Sequence, residues 1–145
     1  MRILVSACLL GAACRYDGRS KPHPGVIGLM KHHQLVPVCP EQLGGLPTPR
    51  TPSERRGERV VMADGADVTE QYRRGAEEAL RLCRLLGCGA AVLKERSPSC
   101  GDGQIYDGTF TGALTAGQGV TAQLLEENGV AVYGESEIDL LLNKE

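Results

Sequence analysis

The chain has 145 residues, enough for one hydrophobic core and too few for two ordinary domains, so we expect a single domain over residues 1–145. Its 16 Lys and Arg residues nearly balance its 18 Asp and Glu residues, and it has no Trp and one Phe. Because neither a basic surface nor an aromatic stacking platform is available, no nucleic acid partner is expected.

The N-terminal segment is predicted to form a buried strand. Arg2 to Ala7 is a run rich in Ile, Leu and Val, which is typical of a strand covered on both faces. The start MRILVSACLL lacks a long basic region and a cleavage site, so it does not read as a signal peptide. No apolar stretch approaches the roughly 20 residues of a membrane-spanning helix. We therefore expect a cytoplasmic protein with no membrane contact.

The next elements are shorter and richer in proline. A short helix is predicted over Val26 to His33, followed by a second strand from Gln34 to Val38. Pro37 cannot donate a ladder hydrogen bond, which places this strand at the edge of a sheet. Pro40 to Gly57, with its glycines and prolines, is predicted to be an irregular loop. Glu58 to Ala63 then indicates a small hairpin or a strand with a turn.

The longest predicted helix begins at Asp67, with Glu70 as its partner in a capping box. Gly87 or Gly89 ends it. Apolar residues recur in this segment at steps of three and four and form one stripe, which faces the core. The stripe consists of Val68, Tyr72, Ala76, Ala79, Leu80, Cys83 and Leu86.

The C-terminal third alternates strands with helices. Ala90 to Leu93 is the third strand, a glycine-rich stretch over 101–119 leads into a helix, and Val130 to Tyr133 is the fourth strand. Ser136 is predicted to cap a terminal helix with Asp139 in its first turn. The alternation predicts an α/β fold in three layers, with a mostly parallel, Rossmann-like sheet of about four to five strands and helices on both faces.

Three of the six cysteines follow predicted strands, namely Cys8, Cys39 and Cys100. If these strands are parallel neighbours, the three thiols meet at the sheet edge where open α/β folds bind their ligands. Cytosolic cysteines stay reduced, so metal binding or catalysis is favoured over disulfides. Three thiolates form a soft, open-sided metal site, and we favour an iron–sulfur cluster. Their spacing matches no local signature, and the alternative is three inert residues at strand ends.

The other three cysteines have different positions. Cys83 lies on the apolar stripe and is predicted to be a small buried hydrophobe. Cys88 precedes its strand and therefore belongs at the opposite edge of the sheet. Cys14 follows the first strand closely and is a candidate for a fourth ligand, a resolving thiol or a simple loop residue. Structural zinc sites usually contain closely spaced cysteine pairs, and this chain has no C-x-x-C pair, so a structural zinc site is not favoured.

Two polar residues near these thiols are candidates for proton transfer. Glu41 lies two residues after Cys39, beside the predicted metal site, although a solvated loop glutamate fits the same position. Ser97 and Cys100 share a turn that Pro98 stiffens, which is able to aim both side chains into one cavity.

Further polar groups are expected around the same edge. Arg15, Asp17 and Arg50 lie in the surrounding loops and are candidates to orient a polar substrate. The glycines of Gly117 to Thr121 open a helix whose free amides would accept an anion. No P-loop or dinucleotide fingerprint is present, which argues against a nucleotide cofactor.

Several motifs together resemble a known family. The segments SACLLG, CRYDG, VCPE, GGLPTPR, LKERSPSCG, IYDG and GQGVTA occur in the same order as in the thiouracil desulfidase family. The resemblance runs from residue 4 to about residue 133, and this chain is similar to the stand-alone short form of the family.

The resemblance implies an enzyme that acts on a carbon–sulfur bond, as a hydrolase or lyase. It implies a four-iron four-sulfur cluster (4Fe-4S) held by Cys8, Cys39 and Cys100, whose fourth iron stays open and binds the substrate sulfur. Glu41 and Ser97 correspond to the catalytic residues of the family. The substrate would be a small-molecule thiolated pyrimidine, either thiouracil or a thiouridine derivative, converted without redox chemistry to the uracil form plus sulfide.

Alternative functions belong to other classes. A non-catalytic iron–sulfur or metal-binding sensor or carrier would hold the same cofactor without turnover. A metal-free thiol enzyme would use Cys100 as its nucleophile, which requires a lowered thiol pKa and a neighbouring base. A purely structural module gives no reason for three thiols at one sheet edge. The sequence predicts no particular oligomeric state.

Overall fold

A computed structural model describes residues 1–142 of the chain. The described residues form eight strands: β1 (Arg2–Ser6), β2 (Gln34–Val38), β3 (Ser53–Arg56), β4 (Arg59–Met62), β5 (Cys88–Leu93), β6 (Gln104–Tyr106), β7 (Leu114–Ala116) and β8 (Ala131–Gly134). Five α-helices connect or follow them: α1 (Pro24–Gly28), α2 (Pro40–Leu43), α3 (Thr69–Leu85), α4 (Val120–Glu127) and α5 (Asp139–Leu142). Three short 3-10 helices lie at Ala7–Leu10, Leu29–Lys31 and Glu135–Glu137.

The central sheet has four parallel strands in the order β2-β1-β5-β8. In its register Val5 lies opposite Pro37 on one side and Val92 on the other. The strand with Pro37 is an edge strand, as predicted, and the predicted α/β class is confirmed. The chain adds β2 on one side of β1 and β5 on the other. The carboxyl ends of these strands therefore form a switch point, where ligands bind in open α/β folds.

Helices cover both faces of the sheet because its central strands are apolar on both sides. Ile3 and Val5 point into a core that is closed by α1 and α5. Leu4, between them in sequence, points into a second core with α3 and α4. Since neighbouring strand residues face opposite sides, one continuous apolar run supplies both cores.

Two antiparallel hairpins, β3-β4 and β6-β7, lie outside the central sheet. The prediction of an irregular loop over residues 40–57 is therefore wrong in part, because this segment holds α2 and β3. Pro40 occupies the first turn of α2, where a missing N–H costs no helical bond. The glycine-rich stretch over 101–119 likewise contains the hairpin β6-β7.

The predicted helix boundaries also need correction. α3 begins at Thr69, and the Asp67 carboxylate, which lies outside the helix, accepts the Thr69 amide at 2.9 Å. Glu70 pairs with Arg73 instead of completing a capping box. The first helix is α1 and its 3-10 extension, which end before His33.

The predicted role of Ser136 as a helix cap is wrong. Ser136 lies inside the 3-10 helix that precedes α5, and its hydroxyl donates to the Glu95 carboxylate at 2.8 Å. The Glu137 carboxylate accepts the Gly134 amide at 2.9 Å instead. Within residues 1–142, no helix has the length and apolar character needed to cross a membrane.

Candidate functional site

A cavity of about 450 Å³ opens at the carboxyl ends of β1, β2 and β5. Its wall brings together all five residues predicted for the site: Cys8, Cys39, Cys100, Glu41 and Ser97. Cys14 lies in the same wall, so four thiols face the cavity. Cys83 and Cys88 do not line it. Cys83 lies on α3 and is buried in the core, as predicted. Cys88 begins β5 and therefore lies at the end of this strand that is opposite the cavity, also as predicted.

The first two thiols are positioned directly by strand ends. Cys8 lies in the 3-10 helix that follows β1, and Cys39 lies between β2 and α2. Cys14 contacts both thiols by hydrogen bonds. The Cys39 thiol also donates to the Cys14 carbonyl, with a sulfur–oxygen distance of 3.7 Å. The loop after β1 therefore folds back over the end of β2.

Cys100 is held by a tight turn built around Ser97. The Ser97 hydroxyl oxygen accepts the backbone amides of Ser99 and Cys100, both at 3.1 Å. The Gly101 amide donates to the Ser97 carbonyl at 2.8 Å. Because both side-chain bonds use the oxygen as acceptor, the hydroxyl hydrogen of Ser97 is still available to donate.

The N-terminus of α4 supports this turn instead of binding an anion. The Val120 amide donates to the Pro98 carbonyl at 2.9 Å, and the Thr121 amide donates to the Ser99 carbonyl at 2.8 Å. A Cβ at Gly119 would lie 2.4 Å from the Ser99 carbonyl, so only glycine allows this contact. The predicted anion site over residues 117–121 is therefore wrong, since its amides are already bonded.

A close contact between two helices positions α2, with Cys39 and Glu41 at its start. A Cβ at Gly75 would lie 1.8 Å from the Pro40 carbonyl oxygen, and a Cβ at Gly44 would lie 1.9 Å from the Gln71 carbonyl oxygen. The backbones of α2 and α3 thus meet directly, which is possible only without side chains at these two positions.

Glu41 forms an ion pair with Arg50 in the cavity wall. The Arg50 Nε donates to Glu41 Oε2 at 2.8 Å, and Nη2 lies 2.5 Å from the same oxygen. The side chain of Glu41 is 14% exposed and that of Arg50 is 3% exposed. Of the other residues predicted to orient a substrate, Arg15 lines the cavity. Asp17 does not line it, and its carboxylate accepts the Arg19 amide.

Two of the predicted ligand thiols, those of Cys39 and Cys100, have pKa values raised above the usual range, which favours their protonated form. Burial raises the pKa of Cys100 to about 12. The hydrogen bond with Cys14, together with burial, raises the pKa of Cys39. Metal binding at these thiols would therefore release protons. A metal-free nucleophile requires the opposite shift, and no histidine of the described chain lines the cavity.

Sequence reasoning did not assign the tyrosines to this site. Three of the four tyrosines of the chain, Tyr16, Tyr72 and Tyr106, line the cavity. Tyr72 was predicted to be part of the apolar stripe, and it is buried there as well, with burial raising its pKa. The position of Tyr16, two residues after Cys14, was a signal that could have predicted its place in the cavity wall.

The arrangement of donors differs from that of a single-ion site. Among residues 1–142, no three His, Cys, Asp or Glu side chains are placed to hold one metal ion. A tetrahedral zinc ion, with bonds of about 2.3 Å to sulfur, draws its thiolates close together. Thiols from three segments of the chain that line one cavity of about 450 Å³ fit a larger inorganic body bound by thiolates, as iron–sulfur clusters are.

Comparison with known proteins agrees with this reading of the cavity. The family model for 2-thiouracil desulfurase matches residues 3–137. The chain belongs to the 2-thiouracil desulfurase family. A solved structure of the [4Fe-4S]-dependent thiouracil desulfidase TudS is similar to it, with 48% identity, a TM-score of 0.92 and 99% of each chain covered. The uncharacterised protein YbbK of Bacillus subtilis (strain 168) is 43% identical over 97% of this chain and 99% of its own.

Membership in the 2-thiouracil desulfurase family confirms the resemblance that the sequence motifs indicated. All five predicted site residues lie within the matched range of 3–137. The match with TudS also confirms the three-layer α/β architecture. The individual roles of the five residues stay predictions.

Proposed function

We propose that this chain is a [4Fe-4S]-dependent desulfidase of thiolated pyrimidines, as the name of its solved relative TudS states for that protein. The reaction exchanges sulfur for oxygen: water adds to the ring carbon, C=S becomes C=O, and sulfide leaves with no net electron transfer. The observation that supports it best is the convergence of Cys8, Cys39 and Cys100 with Glu41 and Ser97 on one cavity. We place the reaction in the cytoplasm, where thiols stay reduced.

Three thiolates would hold the cluster, each from a different segment of the chain. Cys8 follows β1, Cys39 follows β2, and Cys100 lies in the turn after β5. When bound by only three cysteines, the cluster supplies one iron without a protein ligand, a Lewis acid suited to a soft thiocarbonyl sulfur. Cys14, the first residue of the motif CRYDG, faces the same cavity but is not one of the three ligands that the family resemblance implies.

Glu41 is placed to act as the general base. Its Oε2 is held by Arg50, while its Oε1 has no hydrogen bond within the described residues. A carboxylate oxygen in a cavity wall can accept a proton from water and direct the water oxygen to the ring carbon.

Ser97 is placed to act as a proton donor. Its oxygen is engaged by two backbone amides, so its hydrogen can donate to the substrate or to the leaving sulfur. The two amides also fix the position of the oxygen. Ser97 thus combines a defined position with a free proton, which is what a group that steadies a leaving atom requires.

The experiment is anaerobic purification and reconstitution, followed by iron and sulfide quantification and turnover of 2- or 4-thiouracil. We expect a cluster in the wild-type protein, with release of uracil and sulfide, and loss of both in Cys100→Ala. Cys88→Ala is the matched control, since Cys88 lies away from the cavity and its loss leaves cluster and turnover intact. Equal activity in the wild type and Cys100→Ala would contradict the proposal. A cluster without turnover of any thiolated base would indicate the sensor or carrier instead.

A further inference from the structure

The guanidinium group of Arg50, in the cavity wall, directs its N–H groups at protein oxygens. Nε donates to Glu41, Nη1 donates to the Pro47 carbonyl at 3.1 Å and to the Thr48 hydroxyl at 2.9 Å, and Nη2 donates to the Cys14 carbonyl at 2.9 Å. With the contact between Nη2 and Glu41, every guanidinium nitrogen faces a protein acceptor. An arginine with its donors committed in this way, and a side chain 3% exposed, has nothing left to offer a substrate.

The contact with Glu41 is made through one carboxylate oxygen only. Both Nε and Nη2 approach Oε2, at 2.8 Å and 2.5 Å. A fork-to-fork pair would occupy both oxygens, whereas this geometry leaves Oε1 without a hydrogen bond among residues 1–142. Because Glu41 lines the cavity, fixing Oε2 in the wall determines where Oε1 lies.

Arg50 also connects Glu41 to the loop after β1, which contains Cys14 and Tyr16. Nη2 donates to the carbonyl of Cys14, which in turn accepts the Cys39 thiol at 3.7 Å. The backbone amide of Arg50 donates to the Tyr16 carbonyl at 2.8 Å. One buried residue therefore sets the relative position of the carboxylate and the loop after β1.

We propose that Arg50 is a positioning residue of the desulfidase: it locks the Glu41 carboxylate with one oxygen free for proton transfer, and it does not bind substrate. This inference rests on the proposed function, because it assigns Glu41 the role of base. It corrects the expectation that Arg50 orients a polar substrate. Lysine cannot take its place, since an ammonium group is a point donor that lacks the planar fork.

The kinetic test compares Arg50→Lys, Glu41→Gln and the double variant with the wild type on thiouracil, after iron and sulfide quantification. We expect Arg50→Lys to lower kcat at least about tenfold and to change KM by less than about threefold. The double variant is expected to be no slower than Glu41→Gln alone, because Arg50 acts through Glu41. Arg59→Lys is the matched control, since the Arg59–Asp67 pair is exposed and lies away from the cavity.

Two kinetic results would overturn the inference. A higher KM with unchanged kcat in Arg50→Lys would make Arg50 a substrate-binding residue. Losses that multiply in the double variant would show that Arg50 acts independently of Glu41.

A second measurement covers variants that fail to bind the cluster. The melting temperatures of the cluster-free wild type, Arg50→Gln, Glu41→Gln and the double variant report on the pair directly. We expect Arg50→Gln to melt lowest, because it leaves a largely buried carboxylate without its partner, and the double variant to recover part of the loss. If the double variant melts no higher than Arg50→Gln, the coupling between Arg50 and Glu41 is refuted. A wild type without turnover would refute the proposed function, while this cycle would still test the pair.

Discussion

The hydroxyl group of Ser97 has a structural role, and we propose a chemical role for it as well. Its oxygen accepts the amides that shape the turn of Cys100, and its hydrogen faces no protein acceptor among the hydrogen bonds of the described chain. Exchange of Ser97 for a residue without a hydroxyl group should therefore affect both functions. The two effects are separable by measuring activity and stability in the same variants.

Replacing Ser97 by alanine is expected to lower kcat about 100-fold, since a positioned proton donor contributes about 10² or more. The free energy of unfolding should fall by about 1 to 2 kcal/mol, because two amides lose their acceptor. Ser97→Thr keeps the hydroxyl and should restore most of both. Steady-state kinetics and denaturant unfolding are the measurements.

Thr69→Ala is the control for the structural part of this loss. The Thr69 hydroxyl also accepts a backbone amide, that of Val60 at 2.9 Å, but it lies outside the cavity wall. It should lower stability while leaving kcat unchanged. If Ser97→Ala behaves in the same way, Ser97 has no catalytic role.

The sequence predicted the thiols of this site but not the partner of Glu41. Cys8 and Cys39 directly follow hydrophobic runs, so the rule that parallel strands align their carboxyl ends was enough to bring them together. Arg50 meets Glu41 only through the path of the loop that follows α2. No periodicity describes that path, so a pattern-based reading left Arg50 among the candidates for substrate binding.

At the level of elements, the position of α2 depends on direct backbone contact with α3. Gly75 and Gly44 allow this contact, and the start of α2 carries Cys39 and Glu41 into the cavity wall. The geometry of the site is therefore linked to a helix crossing that lies outside the cavity.

We predict that Gly75→Ala destabilises the protein and disturbs the site. Its Cβ would lie 1.8 Å from the Pro40 carbonyl oxygen, so α2 must move away. Overpacking of this kind costs about 1 to 3 kcal/mol, and a protein of this size loses about 2 to 4 °C in Tm for each kcal/mol. Thermal unfolding and thiouracil turnover should both decline.

Gly28→Ala is the matched control, because Gly28 is also helical and a Cβ there meets nothing within 4 Å. It should leave Tm unchanged or raise it slightly, as alanine favours helix. A Gly75→Ala variant that melts like Gly28→Ala would show that the helix contact is not tight.

Elements differ in how far the sequence could predict them. The strands of the central sheet were predicted because they are continuous apolar runs. β3, with the sequence SERR, reads as polar, and yet its Glu54 is buried. The Glu54 carboxylate accepts the amides of Gly108 and Phe110, at 2.9 Å and 3.1 Å. A strand whose buried residue is satisfied by a distant loop gives no local hydrophobic signal.

For the whole molecule, the predicted cofactor site borders both hydrophobic cores, because Cys8 belongs to one core and Cys100 to the other. The sheet is held between two hydrophobic cores, one with α1 and α5 and the other with α3 and α4. The three predicted ligands extend from the sheet edge and belong to three distant segments. A cluster would therefore cross-link an already folded edge, and its binding energy would add to the stability of the native state.

Removal of the cluster is accordingly expected to lower Tm by several degrees without unfolding the protein. Anaerobic chelation of the reconstituted protein, followed by far-UV circular dichroism and thermal unfolding, measures both effects. The helical signal should persist, because both cores consist mainly of aliphatic side chains that pack without the cluster. Tm should fall, because a ligand that binds only the native state no longer contributes. Cys100→Ala, measured before and after the same reconstitution, should show no difference in Tm, since one of its three ligands is missing. Loss of the helical signal on chelation would mean that the sheet depends on the cluster, and the two cores would then not be the source of the fold.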